Sequence, residues 1–200
     1  TIRNFRIQGF SGTLSNSVNG TQGKGILIQQ VTSPTVDACY IEGSNAGAAN
    51  GSVGVFLDRC TGGLIASTNI GFNKAISATS GNVGGNGILL ADRSAADVTF
   101  GPNTVGKNTP VIAGWGIANG NNIIRNCERT GISLGLNNNA ATTGSMGSTI
   151  IEYNTIQGVR DVIGTGSSPA ISAIYADADG GDLRINNNIL GGKGNTTEND

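Results

Sequence analysis

The sequence predicts an all-β fold in which one chain winds into a coil, a single-stranded parallel β-helix of about six to seven rungs. Three observations predict it. The first is composition: 33 glycines and 24 asparagines stand in 200 residues, while charged residues make up 12% against an ordinary quarter. Several solvated helices would need more Glu, Lys and Arg than this, whereas strands joined by Gly/Asn turns need few. The second is a phrase of apolar strand, polar turn, apolar anchor and, often, glycine, repeated along the whole chain. The third is another phrase, opening on glycine and an apolar residue, which alternates with it.

In chain order the first phrase reads TIRNFRIQGF with anchor Ile7, VDACYIEGS with Ile41 and LIASTNIGFN with Ile70. It continues as VTFGPNTVGKN with Val105, IIRNCERTG with Arg129, IIEYNTIQG with Ile156 and LRINNNILGG with Ile189. The fifth copy is imperfect, with arginine at the anchor. The second phrase reads GILIQQ (25–30), GVFLDRC (54–60), GILLADR (87–93), GIANGN (116–121), GISLGLN (131–137) and, loosely, AISAIYADAD (170–179). Anchors recur about every 30 residues, and a repeat of that size cannot bury its apolar side alone. Stacking turns about 4.8 Å apart buries it, forms parallel sheets and lines like side chains into columns. Unequal spacing is absorbed by outward insertions at the turns. Residues 1–190 are expected to form the coil, and the polar stretch 191–200 a tail or linker.

These alternating phrases, with Asn near the anchor, resemble the right-handed parallel β-helix of the pectate-lyase-like superfamily. Two residues before the anchors stand Phe5, Cys39, Thr68, Asn103, Cys127, Asn154 and Asn187. The asparagines among them resemble that superfamily's stacked turn asparagines, whose amides bond one another and the backbone. The resemblance implies a right-handed coil, the usual hand of parallel crossovers. It does not extend to the motifs of the polygalacturonase-like or alginate epimerase-like members. Only the pattern of the lyase-like members, calcium carboxylates with a basic residue, can be accommodated.

Charge and residue content exclude several function classes. A net charge of −1 without a like-charged run argues against nucleic acid and anionic membrane as partners. No apolar stretch approaches the ~18 residues of a membrane-spanning helix. The chain has no histidine, which removes imidazole acid–base chemistry and histidine triads. Cys39 and Cys127, read as sharing a column three rungs apart, would lie about 14 Å from one another. A disulfide requires about 7 Å or less, so the thiols are expected to be reduced. The chain opens inside a rung with no covering helix, so its ends are expected to continue, be capped by a partner or self-associate.

Candidate chemistry follows the second phrase. Gln29 is succeeded by Asp58–Arg59, Asp92–Arg93, Asn119, Asn137 and Asp177. If stacked, with one residue of offset, Asp58 and Asp92 would come within roughly 5 to 7 Å. That spacing suits calcium, which takes hard oxygen ligands, or a sugar bond held between two carboxylates. Arg59 and Arg93 could grip acidic sugars or act as the base, a role that arginine's high pKa makes hard. The plainer alternative is a column of exposed ion pairs, each contributing under about 1 kcal/mol. Asp177 and Asp179 form a second calcium candidate, lacking the complete twelve-residue loop with its final glutamate. Trp115, between two glycines, and Tyr175 are candidates for contacting a sugar ring.

Two functions are therefore expected. One is a secreted or surface scaffold, stalk or adhesin that grips a polysaccharide along one face. The other is a calcium-dependent lyase acting on acidic polysaccharide.

Overall fold

The computed structural model describes residues 1–10, 23–43, 52–71, 85–91, 103–106, 122–127, 130–135, 147–159, 172–176 and 181–191. Seventeen strands within them repeat in threes. The first rung is β1 (Ile2–Arg3), β2 (Arg6–Phe10) and β3 (Gly23–Gln29); the second is β4 (Thr35–Asp37), β5 (Tyr40–Gly43) and β6 (Ser52–Asp58). The third is β7 (Gly63–Ala66), β8 (Asn69–Gly71) and β9 (Asn86–Ala91), and the fourth β10 (Asn103–Val105), β11 (Asn122–Arg125) and β12 (Thr130–Leu134). The fifth is β13 (Thr149–Glu152), β14 (Asn154–Gln157) and β15 (Ser172–Ala176); β16 (Leu183–Asn186) and β17 (Ile189–Leu190) begin a sixth.

Each strand pairs in parallel with the strand three places on, giving sheet A (β1-β4-β7-β10-β13-β16), sheet B (β2-β5-β8-β11-β14-β17) and sheet C (β3-β6-β9-β12-β15). This is a parallel β-helix, as the sequence predicts, with six rungs in sheets A and B. Among the described residues no helix is long and apolar enough to cross a membrane.

The core is a set of columns running along the coil. Sheet A contributes Ile2, Val36, Ile65, Val105, Ile151 and Ile185; sheet B contributes Ile7, Ile41, Ile70, Ile124, Ile156 and Leu190. Ile7, Ile41, Ile70 and Ile156 thus share the predicted column. Three other anchors do not. Val105 lies in sheet A, where it pairs with Ile65 and Ile151. Ile124 takes the fourth sheet-B position, three residues before Cys127, and Arg129 lies outside the described residues. Leu190, not Ile189, pairs with Ile156. The physical reason is an insertion: residues 107–121 separate β10 from β11 within one rung, so two phrases read as two rungs are two sides of one.

Five copies of the second phrase form sheet C; GIANGN lies outside the described residues. Four of the five carry a glycine at the same place, Ala173 standing there in the last, and in three of them the glycine has a packing cause. A Cβ on Gly25, Gly87 or Gly131 would stand 2.5 Å from Cγ2 of Ile41, Ile124 or Ile156, the sheet-B anchor of the following rung. Only glycine leaves the volume that this methyl occupies. The residue after each glycine, Ile26, Ile88 or Ile132, also belongs to the buried core.

The corner between sheets A and B is equally regular. In five rungs one residue turns through the left-handed region (Asn4, Ala38, Ser67, Tyr153 and Asn187, φ 60, 51, 50, 55 and 53). Gly106 (φ 96) takes that place in the fourth rung, where a Cβ would overlap the Glu152 carbonyl. The next position holds Phe5, Cys39, Thr68, Asn122, Asn154 and Asn188. The predicted asparagine stack exists, but through Asn122, Asn154 and Asn188; Asn103 sits at the C–A corner and Asn187 is the left-handed turn residue.

In this ladder Asn122 Nδ2 donates to Asn154 Oδ1 at 2.8 Å and Asn154 Nδ2 to Asn188 Oδ1 at 2.9 Å. Each amide also donates to the preceding rung's backbone, at the Ile65, Val105 and Ile151 carbonyls respectively. The three cysteines are buried free thiols. Cys39 lies on the ladder at the A–B corner and Cys127 beyond β11, so the two occupy different columns.

Candidate functional site

The first Asp–Arg pair of the predicted column lies at the end of β6. Gln29 and Asp58 end β3 and β6 in register, and Gln29 Nε2 donates to Asp58 Oδ2 at 2.9 Å. Arg59 Nη2 approaches the same oxygen at 3.4 Å. Arg59 turns through the left-handed region (φ 53) and donates its backbone N–H to Ala91 at 2.8 Å. Asp58 has 0% of its surface exposed, so it is not the solvated partner of a surface ion pair. A buried carboxylate needs compensating donors, and Gln29 and Arg59 supply two.

The register pairs Asp58 with Ala91, the last described residue of β9. Tyr175 is half-buried on the outer face of sheet C, paired with Ser133. Asp92, Arg93, Trp115, Asn119, Asn137, Asp177 and Asp179 lie outside the described residues. Among the described residues no three carboxylate, thiol or imidazole groups converge as a metal site. Next to Arg59, burial pushes the Cys60 thiol above its ordinary pKa, and the nearby Asp58 charge adds to the rise; a hydrogen bond from the Val31 backbone opposes it. Cys60 therefore stays protonated, with its Sγ 3.4 Å from the Ile28 carbonyl.

The outer face of sheet C around this point is withdrawn from solvent. Val53, Phe56, Leu89 and Ala91 form a second buried apolar cluster, separate from the core inside the coil. The uninterrupted runs VFL and ILLA carry that signal, since a strand covered on both faces loses its alternation.

Sheet A presents a different outer face. A groove of about 450 Å³ is lined by Gly62, Gly63 and Leu64 from the third rung, Asn103 and Thr104 from the fourth, Ser148 and Ile150 from the fifth, and Asp182 and Arg184 from the sixth. Leu64, Thr104, Ile150 and Arg184 are consecutive partners in one outward column. The groove therefore runs along the coil, one rung every ~4.8 Å.

Its edge at the C–A corner is fixed by Asn103, whose Oδ1 accepts the Gly63 N–H at 3.0 Å and whose Nδ2 donates to the Cys60 carbonyl at 3.3 Å. A Cβ at Gly63 would stand 2.6 Å from that Oδ1. Glycine at this corner thus lets the amide close in. Asp182 and Arg184 are exposed, and neither enters an ion pair among the described residues. The floor alternates aliphatic Leu64 and Ile150 with the Thr104 hydroxyl, and the far end carries both charges.

Of the groove residues only Asn103, as a turn asparagine, and Asp182, in the acidic cluster with Asp177 and Asp179, stand out in the sequence, and the groove itself does not. Its signal was apolar Leu64 and Ile150 at outward positions of strands whose inward partners, Ile65 and Ile151, are also apolar. Compared with models of protein families, with curated proteins and with solved structures, the chain matches none.

Proposed function

We propose that this chain is a non-catalytic β-helix of the pectate-lyase-like kind, secreted or displayed at a cell surface, that grips a polysaccharide chain along the outer face of sheet A. The observation that carries this reading is the axial groove, in which four successive rungs each place an outward side chain in one line. A linear polymer laid along it meets a repeating surface. Leu64 and Ile150 offer aliphatic contact to the C–H faces of sugar rings, and Thr104, Ser148 and Asp182 offer hydrogen-bonding groups to hydroxyls. Arg184 suits a carboxylate, which guanidinium can hold bidentately. The asparagine ladder and left-handed A–B corner support the likeness to that superfamily at the level of fold.

The test is calorimetric binding to pectate, alginate and an uncharged polysaccharide, with an ultraviolet scan for unsaturated sugar products in the presence of calcium. Thr104→Trp, which fills the groove midway from a half-buried outward position, is expected to weaken polysaccharide binding by at least about tenfold, roughly 1.4 kcal/mol, with the thermal midpoint retained. Undiminished binding by that variant, or no binding to any of the three polymers, overturns the site. Calcium-dependent unsaturated product would instead establish the lyase reading, with Asp58, Asp92, Arg59 and Arg93 as the residues to substitute.

A further inference from the structure

The groove on sheet A has a beat of two rungs. Its floor is one outward column, Leu64, Thr104, Ile150 and Arg184, each the register partner of the next. Aliphatic side chains stand on the third and fifth rungs and hydrogen-bonding ones on the fourth and sixth. Like chemistry thus returns every second rung, roughly 9.6 Å along the coil. Strand alternation does not produce this beat, because the four residues belong to four different strands. The inward column beneath them, Ile65, Val105, Ile151 and Ile185, is aliphatic throughout. Leu64, Thr104 and Ile150 are half-buried and Arg184 is exposed, so all four reach the surface. Exposed Ser148 and Asp182 line the same groove at the C–A corner, a polar margin beside the floor.

From this we infer that the groove is matched to one class of glycan, a β-1,4-linked pyranose chain in its extended two-fold form. The inference rests on the polysaccharide-binding reading above and narrows it. Such a chain is straight, as a column of stacked strands is. It advances by about 5 Å per ring, close to the ~4.8 Å rung step. Successive rings are turned over by half a turn, so each group on the chain comes back at every second ring, in step with the floor. Its apolar C–H groups leave water over Leu64 and Ile150. Its hydroxyls meet Thr104 and Arg184, which replace the hydrogen bonds to water that burial removes. An α-1,4-linked chain curls away from a straight floor, and a three-fold chain repeats at every third ring. Both set hydroxyls on Leu64 or Ile150, where nothing pairs with them.

The test uses the intact chain and two hexasaccharides of glucose that differ only in linkage, cellohexaose (β-1,4) and maltohexaose (α-1,4), with pectate as an α-1,4-linked polymer. Calorimetric titration gives the affinities. Cellohexaose is expected to bind at least about tenfold more tightly than maltohexaose, the difference made by hydroxyls left without partners. Thr104→Val replaces the hydroxyl by a methyl of like size and makes three floor positions aliphatic in a row. It is expected to cut the cellohexaose-to-maltohexaose preference by at least about threefold, for the loss of one hydrogen bond, with the thermal midpoint retained. Equal affinity of the two hexasaccharides, or a preference that Thr104→Val leaves intact, overturns the inference. Pectate bound while cellohexaose is not would overturn the linkage and leave the polysaccharide reading standing. No binding of either hexasaccharide or of pectate overturns both.

Discussion

At Gly131 the absence of one carbon decides how two sheets meet. A Cβ there would lie 2.5 Å from Ile156 Cγ2 and 2.7 Å from the Ala173 carbonyl oxygen, so Gly131→Ala forces a shift in the wall of a close-packed core. Overpacking of this kind costs about 1 to 3 kcal/mol. Ile156→Ala, removing a fully buried side chain, should cost about 2 to 5 kcal/mol by itself. Since the new methyl and the lost one compete for the same space, the double variant should fall short of the summed losses by about 1 kcal/mol. Urea denaturation of the four proteins checks this, and strict additivity would mean that the two residues do not touch. The repeated glycine was plain in the sequence, but its reason was not, because the isoleucine it accommodates lies in the following rung. Asp58 was legible as a candidate and illegible as a buried group, for burial on an outer face depends on what covers it.

Among the elements, the ladder at the A–B corner joins rungs that their strands alone would hold by short pairings. Asn154 is its best-connected member, with its Oδ1 accepting from Asn122 and its Nδ2 donating to Asn188 and to the Val105 carbonyl. Asn154→Ala should cost at least about 2 kcal/mol in the same measurement, since several buried groups lose a partner worth about 1 to 3 kcal/mol each. Asn69→Ala, two strands away in sheet B and half-buried, serves as the comparison and should stay within about 0.5 kcal/mol, as surface changes do. Near-equal losses would remove the ladder's claim to importance. Strand existence was read well from the sequence, because the two phrases differ in their opening residues. Sheet membership was read less well. NTV at 103–105 and NTI at 154–156 are nearly the same triplet, yet one is a strand of sheet A and the other of sheet B. A triplet fixes which side chains face inward and does not fix the side of the coil on which it lies. NNNIL similarly allows two registers, and pairing with Thr155 and Ile156 selects the later one.

For the whole molecule, stability is a chain of nearest-neighbour contacts, since each rung touches only those above and below it. Opening should therefore begin at the rung whose inward side chains, Ile185 and Leu190, are about half exposed. Under native conditions the amides of β16 and β17 are expected to exchange with solvent at least about tenfold faster than those of β7 and β8, reflecting an opening free energy lower by about 1.4 kcal/mol or more. Uniform exchange across all six rungs would show a single cooperative unit. The totals of the sequence foretold this architecture at low resolution: glycine and asparagine in excess, charge in deficit, and a period near that of known solenoids. The groove was hidden from it because a groove belongs to four rungs at once.

The fourth A–B corner has a practical meaning. Gly106 and Asn122 sit where neighbours in the other rungs are consecutive residues, and both keep their rung-to-rung bonds: the Gly106 N–H to the Ile65 carbonyl at 2.8 Å, and Asn122 to that same carbonyl and to Asn154. Fifteen amino acids have thus been spliced into the A–B corner of the fourth rung without unfastening it. For a protein engineer this marks a graft point. A foreign peptide exchanged for residues 107–121 would be presented beside the ladder while the windings before and after it keep their hold on each other.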